Sequence, residues 1–275
     1  MMNLQNVIEN FQTFNNFARN PKNGGINRIA FSHPERVAAL KFSMLCQKAG
    51  LDVYFDFFGN VIARREGKQP SLKPIVLGSH IDTVKDGGQY DGLLGVLGAL
   101  EVVEHLNAHH IETDHPIIII AFACEESTRF NEATLGSKYL TGKMAKDDMK
   151  FIKDNDDNVL YDIVAPLAQD MNGKTALFER NKIKAFLELH IEQGPILENN
   201  QKDIGIVTDI AAPHRFKLQI AGVTSHSGST PMPMRTDALT TAAEVILKIE
   251  ALGQAYHDKG IVTTVGLSLI HISER

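Results

Sequence analysis

Cysteine, long apolar runs and an excess of basic charge are all scarce in this sequence. The two cysteines, Cys46 and Cys124, are too few for a disulfide framework and lack zinc-knuckle spacing, so we expect two buried thiols. The longest apolar run, 117–124, is far shorter than the roughly 20 residues of a membrane-spanning helix. Residues 1–16 lack the apolar stretch of a signal peptide. These absences predict a cytoplasmic protein without a membrane partner.

The charge balance is acidic, with 28 Lys and Arg against 33 Asp and Glu. Without a basic stripe the chain has no means to neutralise a phosphate backbone, so we expect a small-molecule partner and no nucleic acid. Its 275 residues allow one large domain or up to two smaller ones.

Apolar periodicity predicts two opening helices, a hairpin, a buried strand, a helix and a second buried strand. In chain order these are 7–17, 33–49, 53–63, 75–78, 93–106 and 117–123. Apolar strands on either side of a helix indicate a sheet covered by helices, which is the α/β class.

Beyond this point the pattern changes twice. Residues 144–174 are polar and charged, so we expect solvated helices and loops there. A further strand at 185–189 leads into His190. A strand at 216–220, a helix at 237–252 and a strand at 261–265 then predict a second, smaller α/β unit, entered near 209–213.

Potential metal ligands occur in four segments that follow predicted strands. The segments are Gly78–Val84 (GSHIDTV), Gly87–Gly92 (GGQYDG), Ala123–Phe130 (ACEESTRF) and Glu188–Pro195 (ELHIEQGP). Taken singly, a histidine at a strand end or a Glu-Glu pair is more often structural or solvated than functional. Because side chains at the carboxyl ends of strands converge on one crevice, the four together favour a metal site. Nitrogen and oxygen donors without thiolate suit Zn²⁺, Mn²⁺ or Co²⁺.

The spacing within these segments predicts a division of roles. His80 and Asp82 face the same side of an extended chain, so one could bind metal while the other fixes it. Asp91 could bridge two cations. Of the adjacent Glu125 and Glu126, one could ligate metal while the other acts as general base.

The motifs GSHIDTV, GGQYDG, EESTRF, ELHIEQG and SHSGSTPM resemble the metallo-amidohydrolases of the aminoacylase and di-zinc carboxypeptidase superfamily. The resemblance runs from about residue 75 to 238. It is strongest to the branch of N-carbamoyl-L-amino-acid hydrolases, allantoate amidohydrolases and β-ureidopropionases. It implies a mixed-sheet α/β catalytic domain of the di-zinc exopeptidase type at 1–209. An inserted α+β dimerisation (lid) domain, incomplete here, would occupy 210–275.

The same resemblance implies two divalent cations, held by His80, Asp91, Glu126 and His190, with Asp91 bridging. Glu125 would be the general base, Asp82 would orient His80, and Gln193 would touch substrate. His226 would reach into the other subunit's site of a homodimer to stabilise the oxyanion. The implied reaction is hydrolysis of a non-peptide C–N bond in a linear amide or ureido substrate.

The sequence departs from that family at its end. The family's chain is longer and supplies one more histidine ligand and the grip on the substrate carboxylate, whereas this sequence ends at Arg275. His271, in the tail 267–275, has no matching context. We therefore expect a truncated sequence whose product is poorly soluble, binds at most one metal tightly and has no turnover.

Two other functions remain open on this sequence. One is a dipeptidase or aminoacylase of the same superfamily, although EESTRF and HIEQG favour the carbamoyl branch. The other is a catalytically inactive fragment that only binds metal.

Overall fold

The computed structural model describes residues 4–16, 18–171, 173–174, 178–212 and 214–266. The chain divides into two compact units, one up to Ile204 and one from Gly205. The catalytic and dimerisation roles expected for 1–209 and 210–275 stay predictions. Phe17, Pro213, His271 and the tail 267–275 lie outside the described residues.

The described residues of the first unit form a five-stranded sheet. Its strands are β1 (Asp52–Phe55), β2 (Val61–Arg65), β3 (Ile75–His80), β4 (Ile117–Phe122) and β5 (Ala185–Leu187). Their spatial order is β1-β2-β4-β3-β5. Strand β2 pairs antiparallel with β1 and with β4, and β3 pairs parallel with β4 and with β5. The sheet is therefore mixed, as the family resemblance implies.

Helices accompany the strands in the predicted order. They are α1 (Leu4–Asn16), α2 (His33–Lys48), α3 (Leu93–Ala108), α4 (Leu135–Leu140), α5 (Leu160–Asp170) and α6 (Ile196–Asn199). Short 3-10 turns occupy Asp148–Phe151 and Arg180–Lys182. No described helix combines the length and apolar character needed to cross a lipid bilayer.

The central strand β4 is buried on both faces. Ile117 and Ile119 join the cluster that also contains Phe42 of α2 and Leu100 of α3. Ile118 and Ile120 belong to a separate cluster with Leu140 of α4. Because strand side chains alternate between faces, this continuous apolar run places helices on both sides of the sheet.

The parallel strands bring their carboxyl ends to one edge of the sheet. His80, the last residue of β3, pairs with Phe122, the last residue of β4. On its other side β3 pairs with β5, with Leu77 opposite Leu187. Residues that follow β4 and β5 therefore emerge beside His80.

The polar region 144–174 is only partly exposed to solvent. The prediction of solvated helices and loops was therefore wrong for the side of this region that packs against the protein. Leu160, Val164 and Ala168 are buried at four-residue intervals on α5, and the first two pack with Met149. Asp154 is also buried and pairs with Arg129. Most charged residues of this region lie on its solvent-facing side. The four-residue apolar spacing in α5 indicated the buried side.

The second unit contains α7 (Ala238–Ala255), and the Asp237 carboxylate accepts the first amides of that helix. Its 3-10 turns are Met232–Met234 and His257–Lys259. The predicted strands at 216–220 and 261–265 are not formed within the part of this unit that the structure describes. A strand requires a hydrogen-bonded neighbour, and neither segment pairs with another described segment. The strand predicted at 185–189 also ends early, at Leu187.

Candidate metal centre

His80 is buried at the end of β3, and its two ring nitrogens have different surroundings. Nδ1 lies 2.8 Å from the main-chain oxygen of Asp82. Because a carbonyl oxygen can only accept, Nδ1 carries the proton and Nε2 keeps its lone pair. Nε2 faces carboxylates, 3.7 Å from Asp91 Oδ1 and 3.8 Å from Glu125 Oε2. His80 is thus arranged to bind a cation through Nε2.

His190, three residues after β5, is arranged in the same way. Its Nδ1 lies 2.8 Å from the main-chain oxygen of Ile191, which again leaves Nε2 free to accept. His190 Nε2 lies 3.2 Å from Asp91 Oδ1, the oxygen that His80 also faces. The structure therefore brings both imidazoles to one carboxylate oxygen.

Asp91 lies immediately before the N-terminal end of α3. Gln193 donates from Nε2 to Asp91 Oδ2 at 2.7 Å, so the amide predicted to touch substrate is bonded to this carboxylate. Gly92 follows with φ +62°, and a Cβ there would lie 2.5 Å from His80 Nε2. Both the backbone conformation and the close approach therefore require glycine.

Asp82 is fully buried and joins two of the predicted ligand segments. Its carboxylate accepts the amide of Glu125 at 3.1 Å and that of Glu126 at 2.9 Å. The same carboxylate lies 3.7 Å from His80 Nδ1, farther than the Asp82 carbonyl. Asp82 thus contacts His80 mainly through its main chain, while its side chain anchors the Glu125–Glu126 turn.

Carboxylates crowd this edge of the sheet. Burial raises the pKa of Glu126 to about 7, and it also raises the pKa of Glu125. For His80, burial lowers the pKa, but the negative charges of Asp82 and Glu125 outweigh it and the net shift is upward. Such a set of acids and imidazoles is stabilised by a bound cation.

The donor set fits a divalent metal ion. Among the residues that the structure describes, ligand atoms lie within 4.8 Å of one another in two groups that share His80. One group is His80, Asp91 and His190, and the other is His80, Glu125 and Glu126. Imidazole nitrogens and carboxylate oxygens without thiolate are the donors that Zn²⁺, Mn²⁺ and Co²⁺ accept.

Sequence reasoning missed the buried side chain of Asn60. Its Oδ1 accepts the amide of Ala123 at 2.8 Å, and its Nδ2 donates to Asp56 and to the main-chain oxygen of Gly136. Asn60 therefore fixes the chain just before Glu125. The only sequence signal was the Gly59-Asn60 pair, which predicts a hairpin turn and nothing more.

His226 belongs to the second unit and is exposed there. Its Nδ1 accepts the amides of Gly228 and Ser229, both at 3.1 Å. Since main-chain amides only donate, the ring proton lies on Nε2. His226 is therefore a hydrogen-bond donor at Nε2, and its action on another subunit stays a prediction.

Comparison with known proteins finds similar amidohydrolases. The chain is 40% identical over 249 residues to an N-carbamoyl-L-amino-acid amidohydrolase of Pseudomonas sp., covering 89% of this chain and 60% of that protein. It is 36% identical over 274 residues to a ureidoglycolate hydrolase of Arabidopsis thaliana, covering 98% of this chain and 57% of that protein. The chain thus spans about 60% of the length of these relatives.

A solved structure extends the likeness to the fold. It is a hydantoinase/carbamoylase family amidase from Burkholderia ambifaria, with a TM-score of 0.75 and 34% identity, covering 93% of this chain and 62% of that one. Residues 76–267 match the sequence pattern of peptidase family M20/M25/M40, whose members are metal-dependent hydrolases. With most of its length inside that match and its donors grouped at the sheet edge, the chain belongs to peptidase family M20/M25/M40.

Proposed function

We propose that this chain forms the metal site of an amidohydrolase that cleaves a non-peptide C–N bond in a linear ureido or amide substrate. The observation that carries the proposal is the convergence of His80 Nε2 and His190 Nε2 on Asp91 Oδ1, with Glu125 and Glu126 alongside. The names of the two relatives above refer to carbamoyl and ureido compounds, which favours substrates such as N-carbamoyl-L-amino acids or ureidoglycolate. Allantoate, which the family resemblance implies, is a further candidate.

Two divalent cations are proposed. His80 and His190 would hold one of them and Glu126 the other, with Asp91 shared between them. When bound, such a pair polarises the substrate carbonyl and lowers the pKa of water. The carbonyls that bond the Nδ1 atoms of both histidines keep their Nε2 lone pairs directed at this site.

Glu125 is proposed as the general base. Its carboxylate takes a proton from the water whose oxygen adds to the carbonyl carbon. It returns that proton to the nitrogen as the C–N bond breaks, so the products are an acid and an amine. The bond from the Glu125 amide to Asp82 fixes the main chain that carries this carboxylate.

His226 is proposed to donate from Nε2 to the oxyanion that develops on the substrate carbonyl. This role requires a hydrogen-bond donor. Because the amides of Gly228 and Ser229 donate to Nδ1, the ring proton lies on Nε2, which can donate. Action from the second subunit of a homodimer and a cytoplasmic location are further predictions.

The test is Glu125→Gln in a version of the chain extended to the length of its relatives, assayed with an N-carbamoyl-L-amino acid, the matching N-acetyl amino acid and a dipeptide. We expect turnover to be lost while the metal content stays near that of the wild type, because an amide keeps the shape but cannot accept the proton. Glu192→Gln is the matched control, since that carboxylate accepts the amides of Ile196 and Leu197 and belongs to neither ligand group found among the described residues.

Loss of metal in proportion to activity would make Glu125 a ligand and contradict its role as base. If the wild type hydrolysed the dipeptide or the N-acetyl amino acid but not the N-carbamoyl amino acid, the protein would be a peptidase or an aminoacylase and the proposed carbamoyl substrate would be wrong.

A further inference from the structure

Arg28 is a fully buried cation behind the candidate metal centre. Its Nε donates to the main-chain oxygen of Ile81 at 2.9 Å, one residue after His80. Its main chain exchanges bonds with Thr83, since Arg28 N donates to Thr83 Oγ1 at 3.0 Å and Thr83 N donates to Arg28 O at 2.9 Å. Arg28 thus holds the segment that carries His80 and Asp82.

Asn15, near the end of α1, continues this connection and is buried. Its Oδ1 accepts from Arg28 Nη1 at 2.7 Å. Its Nδ2 donates to the main-chain oxygen of Gln89 at 3.1 Å, two residues before Asp91. One continuous path of hydrogen bonds therefore runs from Ile81 through Arg28 and Asn15 to Gln89.

The chain between these two anchor points is also held by the N-terminal segment. Ile26 and Gly87 exchange both main-chain hydrogen bonds, at 3.0 and 2.9 Å. Asn27 accepts the amide of Asp86 at 2.9 Å. The loop that separates His80 from Asp91 is thus supported by Asn15, Ile26, Asn27 and Arg28.

We propose that Asn15 and Arg28 are positioning residues that fix the distance between the His80 segment and the Asp91 segment and thereby set the metal affinity. Both lie outside the family match at 76–267, so the N-terminal segment would complete the site. The inference rests on the proposed metal site. The physical reason for this effect on affinity is that metal ligands already held in place lose less conformational entropy when the cation binds.

Asn15→Asp isolates one step of this path. Aspartate keeps the shape and accepts from Arg28 with added charge, but it has no N–H to donate to Gln89. We expect Zn²⁺ affinity, measured by competition with a chromogenic chelator, to fall about 10- to 100-fold. Amide hydrogen exchange at 83–91 should accelerate while exchange in β3 and β4 stays unchanged.

Asn16→Asp is the matched control, because it adds the same charge at the exposed neighbouring position and should leave both measurements unchanged. A folded Asn15→Asp protein with wild-type Zn²⁺ affinity would overturn the positioning role. A wild type without tight Zn²⁺ binding would instead overturn the proposed metal site, so the two failures are distinguishable.

A measurement on the wild type covers the case in which Asn15→Asp does not fold. Zn²⁺ should slow amide exchange at Arg28 and Thr83, which are bonded to each other and are not donors to the metal. Unchanged exchange at both amides would overturn the proposal.

Discussion

At the scale of single residues, the site depends on main-chain groups that a side-chain pattern does not reveal. The family resemblance implied His80 and His190 as ligands, and the structure brings both to Asp91. The carbonyls that fix their Nδ1 atoms belong to Asp82 and Ile191, and any residue there would supply the same oxygen. Sequence could therefore indicate the donors but not what orients them.

Gly92→Ala tests how closely the Asp91 segment approaches His80. A methyl group would meet His80 Nε2 at 2.5 Å, so we expect Zn²⁺ affinity to fall at least tenfold, measured by chelator competition. Gly142→Ala is the control, because it has a similar φ of +72° with open space around it. Both variants should lose about 1 kcal/mol of stability from backbone strain. Equal Zn²⁺ affinity in the two variants would argue against the close approach.

At the scale of elements, helices and strands with partners inside the first unit were predictable. The apolar run of β4 and the periodic α3 appear where the sequence places them. The strand at 216–220 was not formed, although its residues alternate as a strand's do. Alternation records the two faces of a strand, whereas strand formation depends on a neighbour elsewhere in the chain.

Glu35, in the first turn of α2, provides a prediction about pH. Its buried carboxylate accepts the amide of Phe31, and burial raises the pKa of Glu35 to about 8. Between the unfolded pKa, near 4.5, and about 8, the folded state holds a proton that the unfolded state has released. The free energy of unfolding therefore falls as pH rises through this window, by about 1.4 kcal/mol per pH unit.

Glu35→Gln should remove this contribution while keeping an acceptor for Phe31. Urea denaturation at pH 5, 6, 7 and 8 should show the variant gaining stability relative to the wild type as pH rises. Parallel pH curves for the two proteins would show that Glu35 is ionised in the folded state.

At the scale of the whole molecule, two compact units carry different parts of the proposed chemistry. The first unit holds the donor cluster, and the second holds His226. The change of pattern in the sequence predicted a second unit entered near 209–213, and the compact units divide between Ile204 and Gly205. The proposed homodimer could not be predicted from hydrophobic periodicity. Periodicity indicates which face of a segment is buried, but it does not show which other subunit an exposed histidine contacts.

Mixing two inactive variants tests the proposed homodimer. A His226→Ala chain and a Glu125→Gln chain, both extended to the length of the relatives and co-refolded, should regain activity, since one site in each heterodimer keeps both groups intact. We expect up to about a quarter of wild-type turnover, with heterodimers verified by differential tags. Heterodimers that form but stay inactive would exclude action across subunits.

The most direct test of the metal centre is anomalous diffraction at the zinc edge from crystals grown in excess Zn²⁺. The account predicts a peak about 2.0–2.2 Å from His80 Nε2, His190 Nε2 and an oxygen of Asp91. In a chain extended to the length of its relatives, a second peak should lie about 3.5–4 Å from the first, beside Glu126 and the shared Asp91. No anomalous peak between His80, Asp91 and His190, or direct coordination by Glu125, would contradict it.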